Sequence, residues 1–95
     1  MKIIPLRKPG RLLYPPRTKR LRAGFNVLKP GQSVGEHTTG RHEEILIILK
    51  GTALLLANGK KKKIKAGNVA YNPPRTVHNV TNSGKHILRY IYIVV

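Results

Sequence analysis

The stretch that decides the fold is Gly31–Gly51, GQSVGEHTTGRHEEILIILKG. Its first half is polar and punctuated by glycine, and its second contains five aliphatic residues in a row, Ile45 to Leu49. A run of that length bounded by Glu44 and Lys50 suits a strand rather than a helix, and predicts a central strand over 44–50, buried on both faces. The same stretch holds His37, His42 and all three acidic residues of the chain, Glu36, Glu43 and Glu44. Any site that coordinates a metal or moves a proton therefore begins here.

Working outward, the strand pattern recurs. Leu21, Ala23, Phe25 and Val27 alternate with Arg22, Gly24 and Asn26, which predicts a half-buried strand over 20–28 with Asn26 on the opposite face, ending at Lys29-Pro30-Gly31. Val34–His37 reads as a short strand and Thr38–Arg41 as a loop around Gly40. Beyond Gly51, Thr52–Ala57 is another strand, and Asn58-Gly59 forms a two-residue hairpin turn because both residues tolerate positive φ. Lys60–Lys63 follow directly. Four consecutive lysines in a strand put two on each face, which a closed core cannot accept, so this hairpin is expected to project as a solvated edge. Further strands are expected over 69–71, 76–81 and 86–95, separated by the corner Asn72-Pro73-Pro74-Arg75 and the turn Asn82-Ser83-Gly84. Upstream, residues 1–23 carry eight cations and prolines at 5, 9, 15 and 16. They read as a short strand near 2–6, then a basic arm that follows a barrel edge or reaches a neighbouring subunit. Eight or nine short strands without a helical period make an all-β sandwich or barrel, one domain over 1–95.

Composition narrows the chemistry. The chain has no Cys, which excludes disulfides and thiolate metal sites and leaves His, Glu or backbone as ligands, in an intracellular, cytoplasmic setting. Met1–Pro5 lacks the apolar stretch of a signal peptide, and no apolar run approaches a membrane span, so a soluble protein is expected. Nineteen Lys and Arg against three Glu leave sixteen positive charges unpaired. Such a field attracts nucleic acid, anionic sugars or phosphates, or belongs to a generally basic protein. Nucleic acid ranks last among the readings, because the chain lacks interleaved aromatic residues and a helix to enter a groove.

Strand geometry puts i and i+2 on one face, so His37 pairs with Thr39 and His42 with Glu44, while Glu43 points away. His78 begins or crosses a strand beside the same apolar region. Three imidazoles and one carboxylate suit a divalent transition metal, with iron, manganese, nickel and zinc all compatible. Glu36 is expected to pair with a cation such as Arg41, Glu43 to partner a Lys or Arg at the surface or an interface, and His86 to lie at the surface.

The spacing Gly31, five residues, His37, then Glu44, six residues and Gly51 resembles the first motif of the cupin superfamily, G(X)5HXH(X)3-4E(X)6G. Gly67, five residues, Pro73, then His78 and Asn82 resembles the second, G(X)5PXG(X)2H(X)3N. The resemblance spans 31–82, with the first motif at 31–51 and the second at 67–82. It implies a small double-stranded β-helix, or jelly-roll barrel, with a metal in its mouth and frequently a homodimer. His37, Glu44 and His78 match ligand positions. Thr39 stands where the family has a second His, Arg75 where it has Gly, and Asn68 where Asp is common.

Two ligand sets stay open: His37, Glu44 and His78 alone, with free positions for water, oxygen or substrate, or the same three with His42 swung in as a fourth. A third possibility is a hydrogen-bonded polar cluster without metal. Around the site, Arg75 is expected to hold a carboxylate or phosphate, with Thr39 and Tyr71 beside the ligand space and Phe25, Tyr90 and Tyr92 as candidate lining. The expected function is a metal-dependent cupin that binds a small oxygenated, anionic molecule, as a dioxygenase, isomerase or lyase, or else as a non-catalytic ligand-binding or sensor module.

Overall fold

The computed structural model describes residues 1–95 and contains nine strands and no helix. They are β1 (Gly10–Leu13), β2 (Arg22–Leu28), β3 (His37–Thr38), β4 (Glu44–Lys50), β5 (Thr52–Ala57), β6 (Lys60–Lys65), β7 (Val69–Asn72), β8 (Val77–Thr81) and β9 (Leu88–Val94). One sheet has the order β1-β2-β9-β4-β7 and the other β3-β8-β5-β6, with every pairing antiparallel. This is the expected jelly roll. The core joins the two sheets: Leu46, Ile48, Leu88 and Tyr90 from the first pack with Ala53 and Val80 from the second. No helix is long and apolar enough to cross a membrane.

Two glycines show why the barrel closes where it does. At Gly51 the backbone takes φ +88°, and a Cβ would lie 2.6 Å from the Ile87 carbonyl oxygen, so only glycine lets β4 turn into β5 against the start of β9. At Gly24 a Cβ would overlap the Tyr92 ring, so its absence gives that ring its seat across β2. The Asn58-Gly59 turn forms as read, with both residues left-handed (φ 47° and 81°). The lysine strand β6 pairs only with β5, and Lys60 to Lys63 are all exposed at the sheet edge.

Three expectations change. The first strand is not at 2–6 but at Gly10–Leu13, paired with β2 along the sheet edge. It occupies the proline-free interval between Pro9 and Pro15, where consecutive N–H donors are available to pair with β2. The short strand expected at 34–37 shrinks to His37–Thr38, preceded by an isolated bridge between Ser33 and Thr81. β4 is not buried on both faces: Leu46 and Ile48 are enclosed, whereas Ile45 and Leu49 are 39% and 43% exposed. The aliphatic run reflects an apolar outer face rather than a second layer above it.

Candidate metal centre

His37 and His78 are register partners in the β3–β8 pair, and their rings meet edge-on with centroids 4.1 Å apart. Glu44, at the start of β4, comes from the facing sheet. One ligand-capable atom from each of the three lies within 4.8 Å of the others. Glu44 and His78 are buried, and His37 is exposed at the rim. The cluster opens into a cavity of about 660 Å³ between the sheets, a size suited to a small molecule.

Asn72, the register partner of Glu44 on β7, ties the buried pair together. Its Nδ2 donates to Glu44 Oε1 at 3.2 Å and lies 2.7 Å from His78 Nδ1, which itself lies 3.1 Å from Glu44 Oε1; the tautomer that turns an Nδ1–H toward Glu44 is the one that leaves the Nε2 lone pair free. With Nδ1 engaged, His78 Nε2 remains buried without any hydrogen-bond partner. A buried imidazole nitrogen left unpartnered is costly unless something else satisfies it, and a metal ion does so. His37 is oriented too: its Nδ1–H donates to the Gly35 carbonyl at 2.9 Å, leaving the Nε2 lone pair free.

The electrostatics agree with this arrangement. Burial, followed by the charge repulsion that two protonated imidazoles would suffer beside His37, pushes the His78 imidazole down to about 4, so it stays neutral and ligand-ready at neutral pH. Burial raises the Glu44 carboxyl above its ordinary value, opposed by the Asn72 hydrogen bond and by His37. Tyr90, deeper in the barrel, is pushed up to about 12 chiefly by burial, while its hydroxyl accepts a 2.8 Å hydrogen bond from Asn26 Nδ2. The residues present therefore fit a metal: two imidazoles and one carboxylate, with an orphaned nitrogen among them.

Other expected residues divide. His42 lines the same cavity from the exposed loop before β4 but stands outside the three-residue cluster. Thr39 also lines it, but its hydroxyl is engaged: it donates to the Pro73 carbonyl at 2.8 Å and accepts from the Thr76 N–H at 3.0 Å, clipping β3 to the proline corner. Tyr90 and Tyr92 line the cavity, and Phe25 does not.

Tyr71 is on the outer face, one residue out of phase with Asn72, where its hydroxyl donates to Glu43 Oε1 at 2.7 Å. This contact gives Glu43 a tyrosine partner in place of the expected cation. Arg75 is exposed in solvent, outside the cavity; its backbone takes φ +60° at the corner where the family has glycine, and its N–H donates to the Gly40 carbonyl at 2.8 Å. Glu36 lines the cavity and forms no ion pair with Arg41. His86 is exposed, as read.

Sequence reasoning missed Asn72, Arg22 and Asn26 as site residues. Only the register across β2, β9, β4 and β7 brings them to the ligands, and register is not written in any one strand.

A family model, described as the cupin domain, matches residues 24–94. An oxalate-binding protein of Thermotoga maritima is 35% identical over 68 residues, 72% of this chain and 56% of that protein. The chain spans about half the length of the curated relatives it matches. Among solved structures, a Cupin 2 conserved barrel domain protein from Salinispora arenicola superposes with TM-score 0.82 at 28% identity, over 99% of this chain and 87% of that one. A protein of Thermotoga maritima named a predicted oxalate decarboxylase superposes with TM-score 0.74 at 26% identity, over 92% and 90%. With both motifs folded around one cluster of ligating side chains, and the family model covering most of the barrel, the chain belongs to the cupin superfamily.

Proposed function

We propose that this chain holds one divalent transition metal through His37, Glu44 and His78 and binds a small oxygenated anion beside it in the cavity. The observation that carries the reading is His78 Nε2, a buried nitrogen without a hydrogen-bond partner in a cluster of three ligating side chains. Iron, manganese, nickel or zinc fits the donor set, and such an ion would supply a Lewis acid for oxygen donors. The chain's own part is to keep the donors deprotonated and aimed. Gly35 fixes the His37 tautomer, Asn72 spans Glu44 and His78, and burial keeps His78 neutral. His42, on the adjacent loop, is available as a fourth donor.

The oxalate-binding relative supports a small dicarboxylate as the ligand class. Binding without turnover is favoured by Thr39, which replaces a ligand and has its hydroxyl committed to Pro73 and Thr76. The apolar outer face of the first sheet supports a homodimer, and the absence of Cys fits an intracellular setting.

Elemental mass spectrometry of protein purified without a histidine tag tests the reading, alongside His78→Ala and Thr39→His. One metal per chain in the wild type, lost in His78→Ala, is the expected result; Thr39→His would tighten retention. Wild-type protein that carries no metal and takes up none of the four on dialysis would sink it.

A further inference from the structure

We propose that Arg22 is the specificity-determining anchor of this site, gripping the far carboxylate of a dicarboxylate whose near end faces His37, Glu44 and His78. The proposal deepens the reading above and rests on it.

The argument begins with register. Arg22 pairs with Val94, Val94 with Glu44, and Glu44 with Asn72, so these four form one row across β2, β9, β4 and β7. All four line the cavity. Neighbouring strands lie about 4.8 Å apart, which puts the Arg22 backbone roughly 10 Å from that of Glu44. Only the short, apolar side chain of Val94 stands between them. A guanidinium leaning over Val94 therefore faces the ligand cluster across a gap suited to a molecule of a few atoms.

The next row inward shapes the floor. Gly24, Tyr92 and Leu46 are register partners, and Tyr92 spreads across Gly24 because that residue has no Cβ. The space beneath Arg22 is thus filled, and the guanidinium is kept at ligand height rather than sinking into the core.

Charge completes the case. The chain has 19 Lys and Arg, yet Arg22 alone among them lines the cavity. It enters no salt bridge, although the carboxylates of Glu36 and Glu44 line the same space. A guanidinium with its fork uncommitted is the side chain best matched to a carboxylate, which it can take through two parallel N–H···O bonds. Arg75 lies outside the cavity and cannot take this role.

Calorimetry with tag-free protein loaded with Mn²⁺ tests the proposal, using oxalate, malonate and formate as probes. For Arg22→Gln, oxalate and malonate affinity should fall roughly 10–100-fold, the loss of a charge-assisted bidentate contact. Formate, whose single carboxylate is met at the metal cluster, should change by less than about threefold, and Arg22→Lys should recover only part of the loss because it lacks the fork. Mn²⁺ uptake by each variant, measured first, shows that the barrel and cluster are intact. Unchanged diacid affinity in a Mn²⁺-loaded Arg22→Gln protein, or equal losses for diacids and formate, would overturn the anchor while leaving the metal site standing. A wild-type protein that takes up no Mn²⁺, iron, nickel or zinc would overturn the underlying reading and the anchor with it.

Discussion

Along β4, Glu44, Leu46 and Ile48 face inward and are buried, whereas Ile45 and Leu49, one step out of phase, face outward and stay more than a third exposed. The two faces of the first sheet thus carry their polar groups in the opposite sense to an ordinary two-layer sandwich. At its open end the enclosed face presents Arg22, Asn26, Glu44 and Asn72. The outward face carries two apolar rows in register, Ala23–Ile93–Ile45–Tyr71 and Phe25–Ile91–Ile47–Val69, covered at their β2 ends, where Ala23 and Phe25 are buried, and open toward β7. Val69 and Tyr71 on β7 are 62% and 55% exposed. In a chain of formal charge +16, a nearly uncharged sheet face is the exceptional surface. Enclosed polar groups suit a ligand, and the exposed β4–β7 part of the apolar rows suits a partner.

The sharpest way to break this comparison uses neighbours in sequence that differ only in face. Leu46→Lys puts an ammonium into the packed core and should cost more than about 4 kcal/mol, abolishing cooperative folding in a domain of ordinary stability. Ile45→Lys, one residue earlier, should leave denaturant stability within about 1 kcal/mol but convert a dimer to a monomer in light scattering. Equal damage from both, or a wild-type protein that is already monomeric at high concentration, would mean that the outer rows are simply tolerated in water.

A smaller effect is expected within the enclosed face. Asn72→Leu keeps the volume near the cluster while removing the amide that donates to Glu44 and lies against His78. Metal affinity should fall about 10–100-fold, as for other groups that orient ligands, while the fold persists. A competition titration with a chelating dye measures this. Tyr71→Phe, which deletes the outer-face hydrogen bond to Glu43, serves as the contrasting variant and should leave metal affinity unchanged.

What could be read from the sequence divides along the same line. β4 and β5 begin and end where their aliphatic runs do, and Asn58-Gly59 turns as its chemistry requires, because these signals are local. The candidate ligands His37, Glu44 and His78 were legible through motif spacing, and their ligating atoms lie within 4.8 Å of one another. Their supporting groups were not. Asn72 reaches Glu44 through the β4–β7 register, and Arg22 faces it across β9, relations between strands distant in sequence. Tyr71 and Arg75 were misplaced for the complementary reason. Each is close in sequence to a site residue, but a one-residue change of face sends Tyr71 outward, and a left-handed corner leaves Arg75 in solvent.

The mildest test of the comparison is proton linkage, since the strongly shifted groups His78 on β8 and Tyr90 on β9 both lie in the interior that the enclosed face covers. His78 is held at about 4 in the fold, below the ordinary value of 6.5. In metal-free protein the unfolded chain therefore takes up this proton first, so His78 contributes stability above pH 6.5 that is lost as pH falls toward 4. Between pH 7 and 5 the loss should be about 1–2 kcal/mol. Glu44 acts in the opposite sense: its carboxyl is raised by burial, so its contribution weakens as pH rises above 4.5 and partly offsets the His78 slope in the acid range. Urea denaturation of the metal-free wild type and His78→Gln at matched pH separates the two. The variant should lose the His78 slope, and its stability should change less between pH 7 and 5 than that of the wild type. Parallel profiles would show that His78 is not held neutral by the barrel interior, and the electrostatic half of the contrast between interior and outer face would fail.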